Sequence, residues 1–368
     1  MKAEAFTQEK NIDQSMRILS GIAIILVVLG HLDFDVLSLG GLFPYYSFHV
    51  CIFVFISGYF YKPEWEQSVV KYIVKKAMHL LVPYYVWNLV YGIISTILSG
   101  MGFTFANRMS LYNFFCEPFL GGHQYGLNFA AWFLPALFVI EVINIIWRRV
   151  MRICRLNIEW LYFALSLIAG IACIWLAQGG HVWGLLKTPG RIIFMLPIYE
   201  FGRFYKIYLE EKEKRISSYI FIPVVIAIQF VLLLVADGAV NFSAVWCTGF
   251  SSVCVMPYLT VATGTAFWLR ISRVLSSVGN CRLLSQIGAG SMHVCMHHVM
   301  VFFCINCVTK LICNLFNPTL AFDNNMFLSD VNYVYLVQGI YAWKLVYAAL
   351  AIFVSLILSK IKNPLSQR

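Results

Sequence analysis

The run LSGIAIILVVLGH (Leu19–His31) is apolar enough to sit in hydrocarbon and ends on a histidine, with Asp33 and Asp35 just beyond it. An imidazole in lipid costs free energy unless it is paired or faces a wet cavity, so an ionisable side chain at such a position is first a candidate for function. Histidine also has the unperturbed pKa nearest neutrality, which suits proton transfer. The competing reading puts His31 at the interface, where the span meets water.

Composition extends the membrane reading to the whole chain. Of 368 residues, 60% are hydrophobic and only 12% charged, against about 25% charged in soluble domains. A span needs roughly 20 predominantly apolar residues to cross the hydrocarbon. Ten runs meet that need: 15–33, 41–61, 82–100, 127–147, 158–177, 190–207, 218–236, 245–269, 286–314 and 338–360, the ninth long enough to be tilted or kinked. The expected fold is therefore an all-α integral membrane bundle of about ten transmembrane helices, one domain over 1–368. Polar residues in Met1–Gln14 argue against a cleaved signal peptide.

Basic residues orient the bundle. With a cytoplasmic N-terminus, most of the 27 Lys and Arg fall on inner loops and span ends, and only Arg108, Lys187, Arg191, Lys310 and Lys344 lie on the outer side or near it. The positive-inside rule thus favours both termini in the cytoplasm and a multi-pass protein of the inner (plasma) membrane. The net charge of +10 is accounted for by this asymmetry and by anionic lipid. No basic–aromatic repeat calls for nucleic acid.

Eleven cysteines are scattered, mostly within spans, without a disulfide framework. Cys304 and Cys307 form a CxxC inside an apolar run and read as buried small side chains rather than metal ligands; no metal site is expected. No phosphate-binding glycine loop is present, which disfavours nucleotide-driven transport. Between the second and third runs, residues 64–80 interleave apolar residues with Lys71, Lys75, Lys76 and His79. Such a segment suits an interfacial amphipathic helix. It serves either as a lipid anchor or as a cationic rim for a phosphate-bearing ligand.

Six local motifs occur in order: GIAIILVVLGH (21–31), FVFISGYFY (53–61), KKAMHLLVPYYVW (75–87), AWFLPALF (131–138), RIIFMLPIYEFGRFYK (191–206) and GAGSMHVCMHHVMVFF (288–303). Their order over about residues 13–360 resembles membrane acyltransferase family 3, the integral membrane O-acyltransferases that decorate bacterial surface glycans. The resemblance implies acyl transfer, most simply acetyl, from cytoplasmic acyl-CoA as co-substrate, with no permanently bound cofactor, to a hydroxyl of a cell-surface or lipid-linked glycan.

The same resemblance assigns candidate residues. His31 matches the family's proposed catalytic histidine, with Asp33 or another acid to orient it. His298 matches the histidine of a late Ser/Thr-Met…His pattern begun by Ser291 and Met292, and serves to orient the acceptor or stabilise an oxyanion. Ser57 and Tyr59 belong to the SGY signature, Trp132 to WFLP, and Arg191 to an Arg–Pro spacing with Pro197; these are substrate-binding candidates. Lys75, Lys76 and His79 stand where relatives carry arginines near acyl-CoA. The family often has an arginine eleven residues before the histidine; here Ser20 occupies that position, and Arg17 is the nearest replacement.

Structural readings stand beside these. Trp132 suits an aromatic belt, Ser57 and Gly58 close helix packing, and Arg191 snorkelling from a span end. Glu200, inside a span, invites pairing with Arg203 or His298, while His49 and His293 read as packing histidines. The competing function class is a multi-span exporter with a proton relay, against which the sequence offers no internal repeat.

Overall fold

The computed structural model describes residues 13–236, 242–243, 253–279, 281–316 and 322–360. The terminal basic residues Lys2, Lys10, Lys362 and Arg368, which count toward the inner-side excess, and the beginning of the 245–269 run lie outside them. The described residues are helical, without a strand. Ten helices dominate: α1 (Gln14–His31), α2 (Tyr45–Tyr59), α3 (Val69–Gly100), α4 (Gly126–Ile153), α5 (Glu159–Gln178), α6 (Lys187–Phe204), α7 (Ser218–Val235), α8 (Met256–Val278), α9 (Ser291–Phe316) and α10 (Tyr341–Ser359).

Seven of them are long and apolar enough to cross a membrane. The chain is accordingly a multi-pass membrane protein. The remaining three, α2, α6 and α8, fall short; α2 and α6 lie at the expected positions, whereas α8 runs on to Val278, past the end of the 245–269 run. Helix α2 is shorter, and α6 and α8 carry buried Arg191, Glu200 and Arg270 along with several hydroxyls.

Helix α1 sits at the centre, packed on α2, α8, α9, α10 and the short helix Arg282–Ala289. Asp13 caps it by accepting the Ser15 and Met16 amides at 3.1 and 3.3 Å, which satisfies N–H groups a helix start leaves open. Helix α2 runs back antiparallel: Tyr46 donates to the Gly30 carbonyl at 2.5 Å, and Tyr59 reaches Asp13 at 3.2 Å. Peripheral α7 instead turns Ile220, Val224, Ile228, Val231 and Leu234 outward, as expected of a helix bathed in lipid.

The structure adds local detail to the sequence reading. At the start of the amphipathic segment 64–80, Pro63–Gln67 forms a separate 3₁₀ turn, and from Val69 on the chain runs continuously into the following span as α3. A widened π turn at Ala77–Leu81 makes the junction. Pro83 lacks an N–H and would crowd the His79 carbonyl in a regular helix; the wider turn absorbs both effects. The ninth run is broken at Gly290, between the short helix and α9. Cys304 and Cys307 point outward rather than into the core, a correction to the expectation of buried side chains.

The SGY signature divides its labour three ways. Ser57 faces the interior cavity. Gly58 lies against the Tyr199 backbone of α6, and Gly202 reciprocally against the Phe55 backbone, so a Cβ at either position would overlap main-chain atoms. Tyr59 leaves the cavity and donates to Glu210 at 2.9 Å.

Candidate active site

One elongated cavity of about 410 Å³ penetrates the bundle. At one end stand His31, Tyr46, His49, Phe129, Trp132 and Asn332; at the other, Ser20, Ser57, His79 and Ser291. Ser20 and His31 are eleven residues apart on α1, or about 16 Å along the helix at 1.5 Å per residue. The cavity thus connects the basic end of the bundle to the end that carries His31. Its wall is largely apolar, with a few convergent polar groups, as small-molecule sites usually are.

The local structure that builds each wall is simple. On α9, Ser291, Met292 and Cys295 recur at helical spacing and line the cavity, and His298 follows on the same face behind His31. His297, one residue earlier, turns instead to α3, where its Nδ1 lies 2.8 Å from the Tyr91 hydroxyl. Phe129 and Trp132 belong to the tight 3₁₀ entry to α4. Side chains three apart eclipse in such a turn, so both rings reach the same wall.

His31 lies 5.0 Å from His298, ring centre to ring centre, and 4.9 Å from Phe129. His298 is fully buried, with Nδ1 2.7 Å from the Val294 carbonyl. A carbonyl only accepts, so that nitrogen carries the hydrogen. Nε2 of neutral His298 is therefore a lone pair, buried and without a protein partner. Such a ring accepts a hydrogen bond but cannot donate one from Nε2, so it fits a role in orienting His31 and not an oxyanion donor. His49, expected only to pack, lines the cavity, its Nδ1 held by the Tyr45 carbonyl at 2.5 Å.

Other candidates stand elsewhere. Asp33 is exposed and absent from the cavity wall; its backbone carbonyl accepts from Tyr341 and Lys344 at 2.5 and 3.0 Å. Arg191 neither snorkels nor touches the cavity. It is fully buried behind Trp132, with its guanidinium 4.0 Å from the indole centre. Trp132 itself is buried, not a belt residue. Lys76 forms a 2.5 Å ion pair with buried Glu141, and Lys75 rests over Trp65 at 4.8 Å. Of the segment's Lys and His side chains, only His79 reaches the cavity, with Leu80 beside it. Ser20 lines it, while Arg17, one turn away, is exposed and off the wall.

Glu200 pairs with neither expected partner. It accepts from Arg148 and Asn144 of α4, each at 2.5 Å. Arg148 in turn reaches Glu159 at 2.9 Å and lies over the rings of Tyr61 and Tyr162. This cluster is at the basic end of α4–α6, away from His31, and binds those helices together.

Sequence reasoning missed His123, in the loop before α4. Its Nε2 is 2.8 Å from Arg191 Nη2, and its ring stacks on Phe129 and Trp132. Burial, reinforced by Arg191 and Lys187, pushes its pKa down to about 2. Histidine here is neutral.

A family model described as an acyltransferase domain matches residues 13–360, nearly the whole chain. The chain belongs to acyltransferase family 3. It is therefore a membrane acyltransferase. No curated protein and no solved structure matches it.

Proposed function

We propose that this family 3 acyltransferase moves an acetyl group from cytoplasmic acetyl-CoA to a hydroxyl of a cell-surface or lipid-linked glycan, as a ten-span, single-domain protein of the inner membrane with both termini cytoplasmic. The observation that carries the reading is the continuous cavity joining His79 at the basic end to His31 at the other. The pantetheine arm enters past His79, Ser20, Ser57 and Ser291, and exposed Lys71 and Lys75 flank its phosphates. Lys76 is held by Glu141, so it contributes less to that rim than its position suggests.

The acceptor enters at the His31 end, where Trp132, Phe129 and Asn332 offer an aromatic and polar wall. His31 removes the acceptor proton as the hydroxyl oxygen attacks the thioester carbonyl carbon. The C–S bond breaks, and the departing thiolate takes up the proton to give CoA thiol. A positioned base contributes about 10²–10⁴-fold, and alignment of the two substrates in one cavity adds to it. His298 accepts a hydrogen bond from His31 through Nε2, the part first given to Asp33.

The test is transfer in sealed proteoliposomes, with labelled acetyl-CoA and glycan acceptor on opposite sides. Labelled glycan is expected only when acetyl-CoA faces the basic end. Absence of transfer in either orientation, with export of unmodified glycan, would favour the transporter class instead.

A further inference from the structure

Arg191 and His123 form a polar pair close to the cavity, yet neither is on its wall. Trp132 separates Arg191 from the cavity: the indole lines it, and the guanidinium stacks on the indole at 4.0 Å. His123 lies nearly parallel to both cavity-lining rings, 5.7 Å and 17° from Phe129, 6.4 Å and 15° from Trp132. Phe129 in turn touches His31 at 4.9 Å. The order is Arg191, then Trp132 and His123, then Phe129, then His31.

The loop carrying His123 is tied down on both sides. Gly122 donates its amide to the Glu117 carbonyl at 2.8 Å, and Thr188 donates to the Leu120 carbonyl at 3.2 Å. Arg191 Nη1 donates to the Gly121 carbonyl at 3.4 Å. Gly122 has φ +81°, and a Cβ there would lie 3.1 Å from both Arg191 Nη1 and Trp132 Cβ. On the other flank, the Gln124 side chain donates to Asn88 at 3.0 Å. A guanidinium only donates hydrogen bonds, so the Arg191 contact requires Nε2 of His123 to be the bare nitrogen.

We propose that His123 and Arg191 act together as a positioning clamp, the neutral imidazole accepting from the guanidinium so that Trp132 and Phe129 are held as the acceptor-facing wall beside His31. This rests on the reading that the acceptor enters at the His31 end. It gives Arg191 a positioning role and adds His123, a residue without a sequence signal. A clamp of this kind sets how well the acceptor is seated and leaves the donor arm, at the far end of the cavity, untouched.

The experiment is a steady-state comparison of His123→Phe, His123→Gln, Arg191→Gln and the double variant His123→Phe/Arg191→Gln, with acceptor and acetyl-CoA varied separately. Phenylalanine keeps a flat ring but cannot accept; glutamine keeps a neutral acceptor. The expected result is an acceptor KM raised about tenfold in His123→Phe, a level typical of one lost polar contact, with the acetyl-CoA KM unchanged. His123→Gln should recover most of the loss, and the double variant should cost no more than the worse single one, because residues acting as a unit are non-additive. Wild-type kinetics in His123→Phe, additive losses, or an equal rise in the acetyl-CoA KM would overturn the clamp. If His123→Phe fails to fold, the His123→Gln and Arg191→Gln variants decide by the same KM split. Inactivity of the wild type with every glycan tried would instead overturn the acceptor reading itself.

Discussion

Glu200 offers a demanding test, because a carboxylate inside a membrane bundle is by default a functional candidate and here it is structural. Its side chain and that of Arg148 are 2% and 1% exposed and meet at 2.5 Å. Replacing Glu200 with leucine removes one partner of a buried ion pair, a change that costs about 3–5 kcal/mol. Arg148 retains Glu159 at 2.9 Å, on a side chain still 21% exposed, so the lower end applies, about 3 kcal/mol. That is roughly a hundredfold in the folded-to-unfolded ratio. The assay is equilibrium or thermal unfolding in detergent, alongside transfer activity per folded molecule. We expect a clear loss of stability in Glu200→Leu, much of it recovered in Arg148→Met/Glu200→Leu, with the specific activity of the folded fraction unchanged. A loss below about 1 kcal/mol, the scale of an exposed ion pair, would refute the reasoning, as would abolished activity in a stably folded variant.

Further outcomes follow from the packing and protonation described above. Gly58→Ala places a methyl against the Tyr199 backbone, which cannot rotate away, and should cost at least 1–3 kcal/mol, about the usual overpacking penalty; the same stability assay reads it, and wild-type stability would contradict the crossing. His298→Ala should lower kcat with little change in either KM, and His298→Asn, a neutral acceptor, should retain more activity. His297→Phe, on the Tyr91 side, should leave kcat near wild type. Because His123 is pushed down to about 2, the unfolded chain binds a proton there first, near its ordinary 6.5, and stability falls as pH drops below that value. Between pH 7 and 5 this one residue accounts for about 2 kcal/mol, so the melting temperature should fall less on acidification in His123→Gln than in the wild type.

Helices were legible because lipid demands long apolar runs, and the register of α1, α4, α5 and α7 follows them closely. His31 was legible for the same reason, as a titratable group closing such a run. What faces what was harder to read. Lipid is as apolar as a protein core, so periodicity in α9 does not say that Cys304 and Cys307 point out while His297 and His298 point to different neighbours. Long-range pairs were invisible as well: Arg148–Glu200 and His123–Arg191 join residues 52 and 68 positions apart. Local spacing suggested Glu200 with Arg203 because they are one turn apart, but Arg148 on α4 offered a buried partner. The continuous α3 was hidden by Pro83, which marks a helix end in most contexts and here only widens a turn.

The central claim is that His31 takes the acceptor proton. The direct measurement is the single-turnover rate of acetyl transfer by purified His31→Ala and His31→Gln at saturating donor and acceptor, with folding checked by thermal unfolding. The account predicts a fall of at least 10²-fold, about the contribution of a positioned base, in variants that remain folded and still bind acetyl-CoA. Transfer at wild-type rate in folded His31→Ala would contradict it.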